Sequence, residues 1–397
     1  MSPVRLLVLA CAFLAFTLMG LHAFAALLPR FIVEWDLTNT EAGWLNGMPN
    51  LAYMIAVPFL AITDRMDARR LLIWGALANA AGYIGFGLFA DGFWSAAAYR
   101  SLQGLGLAAT YVPGLKALGD RIDGPFQARA ASLYVSSFAV GSSLSVLIAI
   151  GLSQVFDWRW AFIVPGVLNL AAAALAVAIP AKAPQAPSGP RRIFNYGPVL
   201  RNRRAMGCIV GYLAHSVELI GVRGWTVAFL TFAGGLSLHD GSVWTLALIV
   251  TGLNFVGVPA SMIAGEVGAR FGMARTASVA MWASGGAAVL VALAAGQPLL
   301  LLLIPVVLHN MLLLADSGPL SGGAVAASDA ATRGATMGLF ALAGAVGGFV
   351  GPVLFGMVLD LFGRDGLTGW SVAFATMGAV AAAGGTALWL MTAGRRT

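Results

Sequence analysis

Charge is scarce in this chain. Asp, Glu, Lys and Arg make up 10% of its 397 residues, against about 25% in a soluble domain. Because 59% of the residues are hydrophobic, too little polar surface remains to cover a globular fold in water, and a membrane protein is indicated. Cysteine is nearly absent: Cys11 and Cys208 both lie inside apolar runs, which excludes a disulfide framework and a thiolate metal site. The 4 histidines are dispersed and show no paired metal-ligand spacing. No G-x-x-x-x-G-K-[ST] loop occurs, so there is no ATP motor. With no metal set, cofactor loop or activated nucleophile either, the chain is not read as an enzyme and needs no cofactor. The net charge of +7 does not make a nucleic-acid binder, since the basic residues sit in short loops between apolar runs rather than on one face.

What is present is a succession of long apolar stretches. Runs of about 20 residues cross a bilayer as helices, whose backbone polar groups are satisfied internally. Twelve are marked, at roughly 5–28, 41–63, 71–90, 94–119, 128–153, 158–181, 205–233, 240–264, 275–295, 298–322, 334–360 and 367–393. Arg5 followed by an apolar run ending in Ala23-Phe24-Ala25 has the form of a signal peptide. The run is longer than a signal's apolar region and many like it follow, so it is read as a first, uncleaved transmembrane helix. With the N-terminus in the cytoplasm, Arg5, the basic residues of 65–70, 116–129, 182–204 and 270–275, Arg333, Arg395 and Arg396 fall inside. Arg30, Arg159 and Arg364 fall outside. That asymmetry obeys the positive-inside rule and places both termini in the cytoplasm, and the short loops without accessory domains point to a multi-pass protein of a bacterial cytoplasmic membrane.

The longest polar interruption, rich in Pro and Arg, divides the chain into a six-helix bundle over 1–181, a cytoplasmic linker over 182–204 and a second six-helix bundle over 205–397. The halves echo one another. "DRMDARR" from Asp64 is answered by "ARFGMAR" from Ala269, and "DWRWAF" from Asp157 by "GWSVAF" from Gly369. A duplication with substrate at the interface of the repeats is a recurrent plan of secondary transporters. The expected fold is therefore an all-α membrane protein of twelve helices in two pseudo-symmetric halves.

The loop "LAITDRMDARRLL" resembles the G-x-L-x-D-R-x-G-R-R signature of the major facilitator superfamily, with Asp64, Arg65, Arg69 and Arg70 as its acid and its basic residues. Leu60 and Asp67 stand where that family has glycine. The second copy keeps Arg270 and Arg275 but has Ala269 for the acid. "YRSLQGLGLA" is similar to the family's R-x-x-Q-G motif, with Arg100, Gln103 and Gly104 matching. The resemblance covers the whole chain. It implies that Arg100 takes part in proton coupling and that Asp64, Arg65, Arg69, Arg70, Arg270 and Arg275 form a conformational latch. Family drug exporters carry Gly-Pro in span 5, where this chain has no proline; Gly351-Pro352 lies in span 11 instead.

Burying a charge at mid-span costs about 2.5–3.5 kcal/mol on insertion scales, so such residues mark function or a pairing partner. Glu218 and Asp316 are the acids that lie well inside spans. On a helix, His215, Glu218 and Arg223 occupy an arc of about 140°, and Trp225 adds a flat apolar wall. His309 and Asp316, seven residues apart, share a face, with Gly318-Pro319 expected to bend the helix just beyond. Glu218, Asp316, His215, His309 and Arg100 are the candidates for proton coupling. Arg223, Trp225, Asn46, Asn50, Tyr53, Gln103, Tyr111 and Asn310 are the candidates for substrate contact. For Asn46, Asn50 and Tyr53 a static tie between helices is the competing reading, and for His22 the better one. The expected function is a proton-coupled symporter of a small organic anion, working as a monomer. A proton-coupled multidrug efflux antiporter is the alternative.

Overall fold

A computed structural model describes residues 1–62, 66–124, 126–182, 196–238, 241–329 and 332–393. Helices α1 (Pro3–Leu18), α2 (Ala23–Ala26), α3 (Leu28–Glu34) and α4 (Asn39–Ile62) come first. They are followed by α5 (Ala68–Phe89), α6 (Phe93–Ala108), α7 (Tyr111–Gly119), α8 (Phe126–Val155) and α9 (Trp160–Ala178). Then come α10 (Gly197–Arg201), α11 (Arg203–Ala233), α12 (Val243–Phe271) and α13 (Met273–Ala294). The chain ends with α14 (Leu299–Ala315), α15 (Ser317–Ala326), α16 (Arg333–Phe362) and α17 (Leu367–Thr392). The protein is an all-α, multi-pass membrane protein. Among the described residues, 9 helical stretches are long and apolar enough to cross a bilayer, and each of the twelve stretches expected from sequence has a helical counterpart.

Three expected spans are interrupted, and proline chemistry accounts for two of the breaks. Pro113 has no N–H to offer the Ala109 carbonyl, and α6 gives way to α7 at Ala109 and Thr110. Pro319 likewise leaves the Ala315 carbonyl without its helical donor. Here α14 ends and α15 begins across Asp316, so the interruption falls at the acid itself rather than beyond it. In the first span, Leu21 and Ala23 donate to the carbonyls of Leu18 and Gly20, tightening the chain into a turn between α1 and α2.

The chain forms two compact units. Unit one holds Met1–Leu27, Met48–Arg191 and Ala247–Thr251; unit two holds Leu28–Gly47, Arg192–Leu246 and Gly252–Thr397. Within unit one, α1 packs on α8 and α9, and α5 on α6 and α9. Within unit two, α11 packs on α16 and α17, and α13 on α14 and α17. Counted in spans, the first meets the fifth and sixth and the third meets the fourth and sixth. The same pairing recurs six spans later, as a duplicated bundle requires.

The seam between α11 and α16 depends on two glycines. A Cβ at Gly347 would lie 2.5 Å from the Leu213 carbonyl oxygen, and one at Gly351 would run into that of Val217. Their absence lets the two backbones touch beside His215 and Glu218.

Candidate functional site

Unit two brings four scarce side chains together. His215 and Glu218 project from α11, His309 from α14, and Asp316 stands at the junction of α14 and α15. His309 Nε2 lies 3.0 Å from Glu218 Oε1, and the Ser284 hydroxyl on α13 donates to the same oxygen at 2.8 Å. His215 Nδ1 lies 2.7 Å from Asp316 Oδ1, at an angle outside hydrogen-bond geometry, so the contact is an ion pair by distance. Exposure is 2% at His215, 1% at His309, and 0% at Glu218 and Asp316. Two acids and two histidines thus form two crossed pairs sealed from solvent. Aromatic rings complete the enclosure: Tyr212 stacks on His215 at 5.5 Å, and Phe374 sets its ring 6.2 Å from that of His309.

Other expected residues occupy different surroundings. Glu218 bonds to His309 and Ser284 rather than to Arg223, because Arg223 lies about 140° around the helix; the Nε of that arginine is buried without a hydrogen bond. Asn46, in unit two, donates through Nδ2 to the Gly224 carbonyl at 2.9 Å, which places it beside Arg223. Trp225 is enclosed in an aromatic cluster with Phe355 and Trp370, its indole N–H donating to the Pro352 carbonyl at 3.0 Å. Asn310 donates back to Val306 in its own helix. Unit one holds Arg100, which donates to Gln103 Oε1 at 3.0 Å and sits over the Phe24 ring. Gln103 in turn donates to the Gly82 carbonyl. Tyr111 stacks against Tyr134, and Asn50 and Tyr53 are half-buried on α4.

Of the loop residues, Asp64 and Arg65 lie outside the described residues. Arg69 donates to the Val177 carbonyl at 2.8 Å, and Arg70, Arg270 and Arg275 are exposed. The centre of this region is a residue that sequence reasoning treated only as a departure. Asp67 caps α5 through the Arg69 N–H, receives the Arg121 guanidinium at 2.6 Å, and accepts the Lys182 N–H at 3.0 Å. A second acid outside the expected set, Asp360, accepts four hydrogen bonds from the N–H and side-chain groups of Asn39 and Thr40. It thereby caps the first turn of α4 from the end of α16.

Burial pushes the Asp67 carboxyl upward, but the Lys182 N–H, the Arg121 guanidinium and the Arg69 N–H outweigh it and hold the group below the usual carboxylate range. A depressed folded value stabilises the fold above the unfolded value of about 3.9 and stops doing so as pH falls through the folded one. Asp67→Asn is therefore expected to cost about 1–3 kcal/mol at neutral pH, with wild type and variant converging in strong acid. Thermal unfolding in detergent at both pH values measures this, and a difference unchanged by acid would contradict it.

Comparison with known proteins adds family and fold. The chain matches the Major Facilitator Superfamily model over residues 7–308. A relative from Cupriavidus pinatubonensis, named "Probable 4-methylmuconolactone transporter", is 28% identical over 165 residues, covering 38% of this chain and 37% of the relative. The match therefore spans little more than a third of that protein's length. Among solved structures, the chain is similar to a bacterial homolog of the human lysosomal transporter Spinster in an inward-facing, unoccupied conformation. That similarity has a TM-score of 0.77 at 15% identity, over 99% of this chain and 96% of the other. It is also similar to the nucleoside transporter NupG, with a TM-score of 0.76 at 13% identity, over 98% and 99% of the two chains.

Proposed function

The chain belongs to the major facilitator superfamily, and on that premise we propose that it carries a small organic anion together with protons across the bacterial cytoplasmic membrane by alternating access. The observation behind this reading is the buried double pair, His215 with Asp316 and His309 with Glu218. A carboxylate–imidazole pair that holds one shared proton is neutral overall. Removing that proton leaves a net negative charge in low dielectric, so each pair is a site where a proton and an arriving counter-charge are linked.

Arg223 supplies the substrate side of the argument. It lies on the same helix as Glu218, about 7.5 Å further along the axis. An anion arriving at its guanidinium makes the deprotonated carboxylates less favourable, so anion and proton load together, which is the sign required for symport. The relative named for 4-methylmuconolactone transport supports an organic solute. The reading includes six-helix halves over 1–181 and 205–397, a linker over 182–204, both termini in the cytoplasm, and a monomer as the working unit.

Two buried acids also suit a cationic compound, which keeps proton-coupled drug efflux as the second reading. Proteoliposomes with a pH-sensitive dye separate the two when challenged with pools of organic acids and lactones and, separately, of cationic drugs. Saturable proton entry with an acid or lactone pool supports the symporter. Proton movement with cationic compounds alone would replace it by the exporter.

A further inference from the structure

A cavity in unit two is lined by none of the four side chains of the buried double pair, though Arg275 of the expected latch is part of its wall. It is an open recess of about 780 Å³ at the ends of α11, α12, α13, α15 and α17. That volume falls within the range of about 300–1,000 Å³ typical of ligand pockets and far exceeds what a single inorganic ion fills. Two cations line it, Arg204 at the start of α11 and Arg275 in the first turn of α13, with no acidic residue among the described residues of the wall.

The beginning of α13 adds to the positive character. Its N-cap is Gly272, with φ +100°, and neither a capping side chain nor an acidic residue occupies its first turn. The N–H groups and dipole of such a terminus favour an anion. Two aromatic residues of the lining face outward: Phe271 is 69% exposed and Trp389 is 47% exposed.

A polar, cationic recess opening onto exposed aromatic surface matches an amphiphile rather than a free ion. We propose that this cavity binds an anionic phospholipid, with the phosphate held by Arg204, Arg275 and the start of α13, and an acyl chain lying along Phe271 and Trp389. Basic recesses between transmembrane helices recognise lipid headgroups by the same combination of charge and adjoining apolar surface. Inorganic phosphate shares the anionic chemistry but makes no use of the aromatic wall.

The test uses purified, delipidated full-length protein in neutral detergent, titrated with short-chain phosphatidylglycerol, short-chain phosphatidylcholine or inorganic phosphate. Binding is followed by native mass spectrometry for the lipids and by the shift in unfolding temperature for all three. Phosphatidylglycerol is expected to bind the wild type in preference to phosphatidylcholine. Binding to Arg204→Gln/Arg275→Gln should be roughly thirtyfold weaker, while Arg201→Gln/Arg203→Gln, which removes equal charge from outside the cavity, should lose clearly less. All four arginines are exposed, so neither variant disturbs a core. Equal binding of both lipids, or equal loss in the two variants, would overturn the site. Phosphate protecting as well as phosphatidylglycerol would overturn its assignment to lipid. None of these results depends on whether the chain transports an organic anion.

Discussion

Glu218→Gln is expected to abolish concentrative uptake while leaving exchange of substrate intact. Glutamine keeps the length of the side chain and its capacity to bond Ser284 and His309, the two partners that Glu218 Oε1 holds at 2.8 and 3.0 Å. What it loses is the exchangeable proton. One proton coupled across one pH unit is worth about 1.36 kcal/mol, or about tenfold accumulation of substrate. The variant should therefore fall from about tenfold accumulation under that gradient to simple equilibration, while counterflow of labelled against unlabelled substrate continues. Uptake by the variant that still follows the imposed pH gradient would remove Glu218 from the coupling role. A loss of counterflow as well would assign it to binding.

The second large effect concerns stability. Asp316→Leu leaves His215 buried against an aliphatic side chain, and breaking a buried ion pair from one side costs about 3–5 kcal/mol. Replacing both partners, His215→Leu/Asp316→Leu, removes the stranded polar group along with its mate and should recover most of that loss, because a buried pair and a packed apolar pair are often nearly equal in stability. Unfolding of the four proteins of this cycle in one detergent gives the coupling energy directly. Additive losses would show that the 2.7 Å contact does not act as a pair. The double variant should also be stable and uncoupled, which separates the energetic role of the pair from its part in proton movement.

Much of this was legible in the sequence, for reasons of solvent. In a chain so poor in charge, an acid in the middle of an apolar run stands out, and Glu218, Asp316, His215 and His309 all did. Which histidine faces which acid was not legible, because the answer depends on how α11 crosses α14, and no local spacing encodes that. Ser284 left no trace, since a hydroxyl in a span is inexpensive and common. Trp225 illustrates the limit of composition: its indole N–H finds the Pro352 carbonyl, and only the position of α16 reveals that partner. Asp67 looked like a flaw in a motif because its three donors come from the starts or ends of three separate segments. The duplication was legible in outline from the echoed loops, and the repeated pairing of helices within each unit is its three-dimensional form.

The crossed pairs also set a schedule for biosynthesis. His309 follows Glu218 by 91 residues, and Ser284 follows it by 66. At about 5–20 residues per second, roughly 5–20 seconds separate the appearance of the acid from that of its histidine. During that interval α11 enters the bilayer with neither partner yet made. Burying an acid without hydrogen-bond partners is costly, so that cost is offset only once α13 and α14 have been made and bring Ser284 and His309 to Glu218.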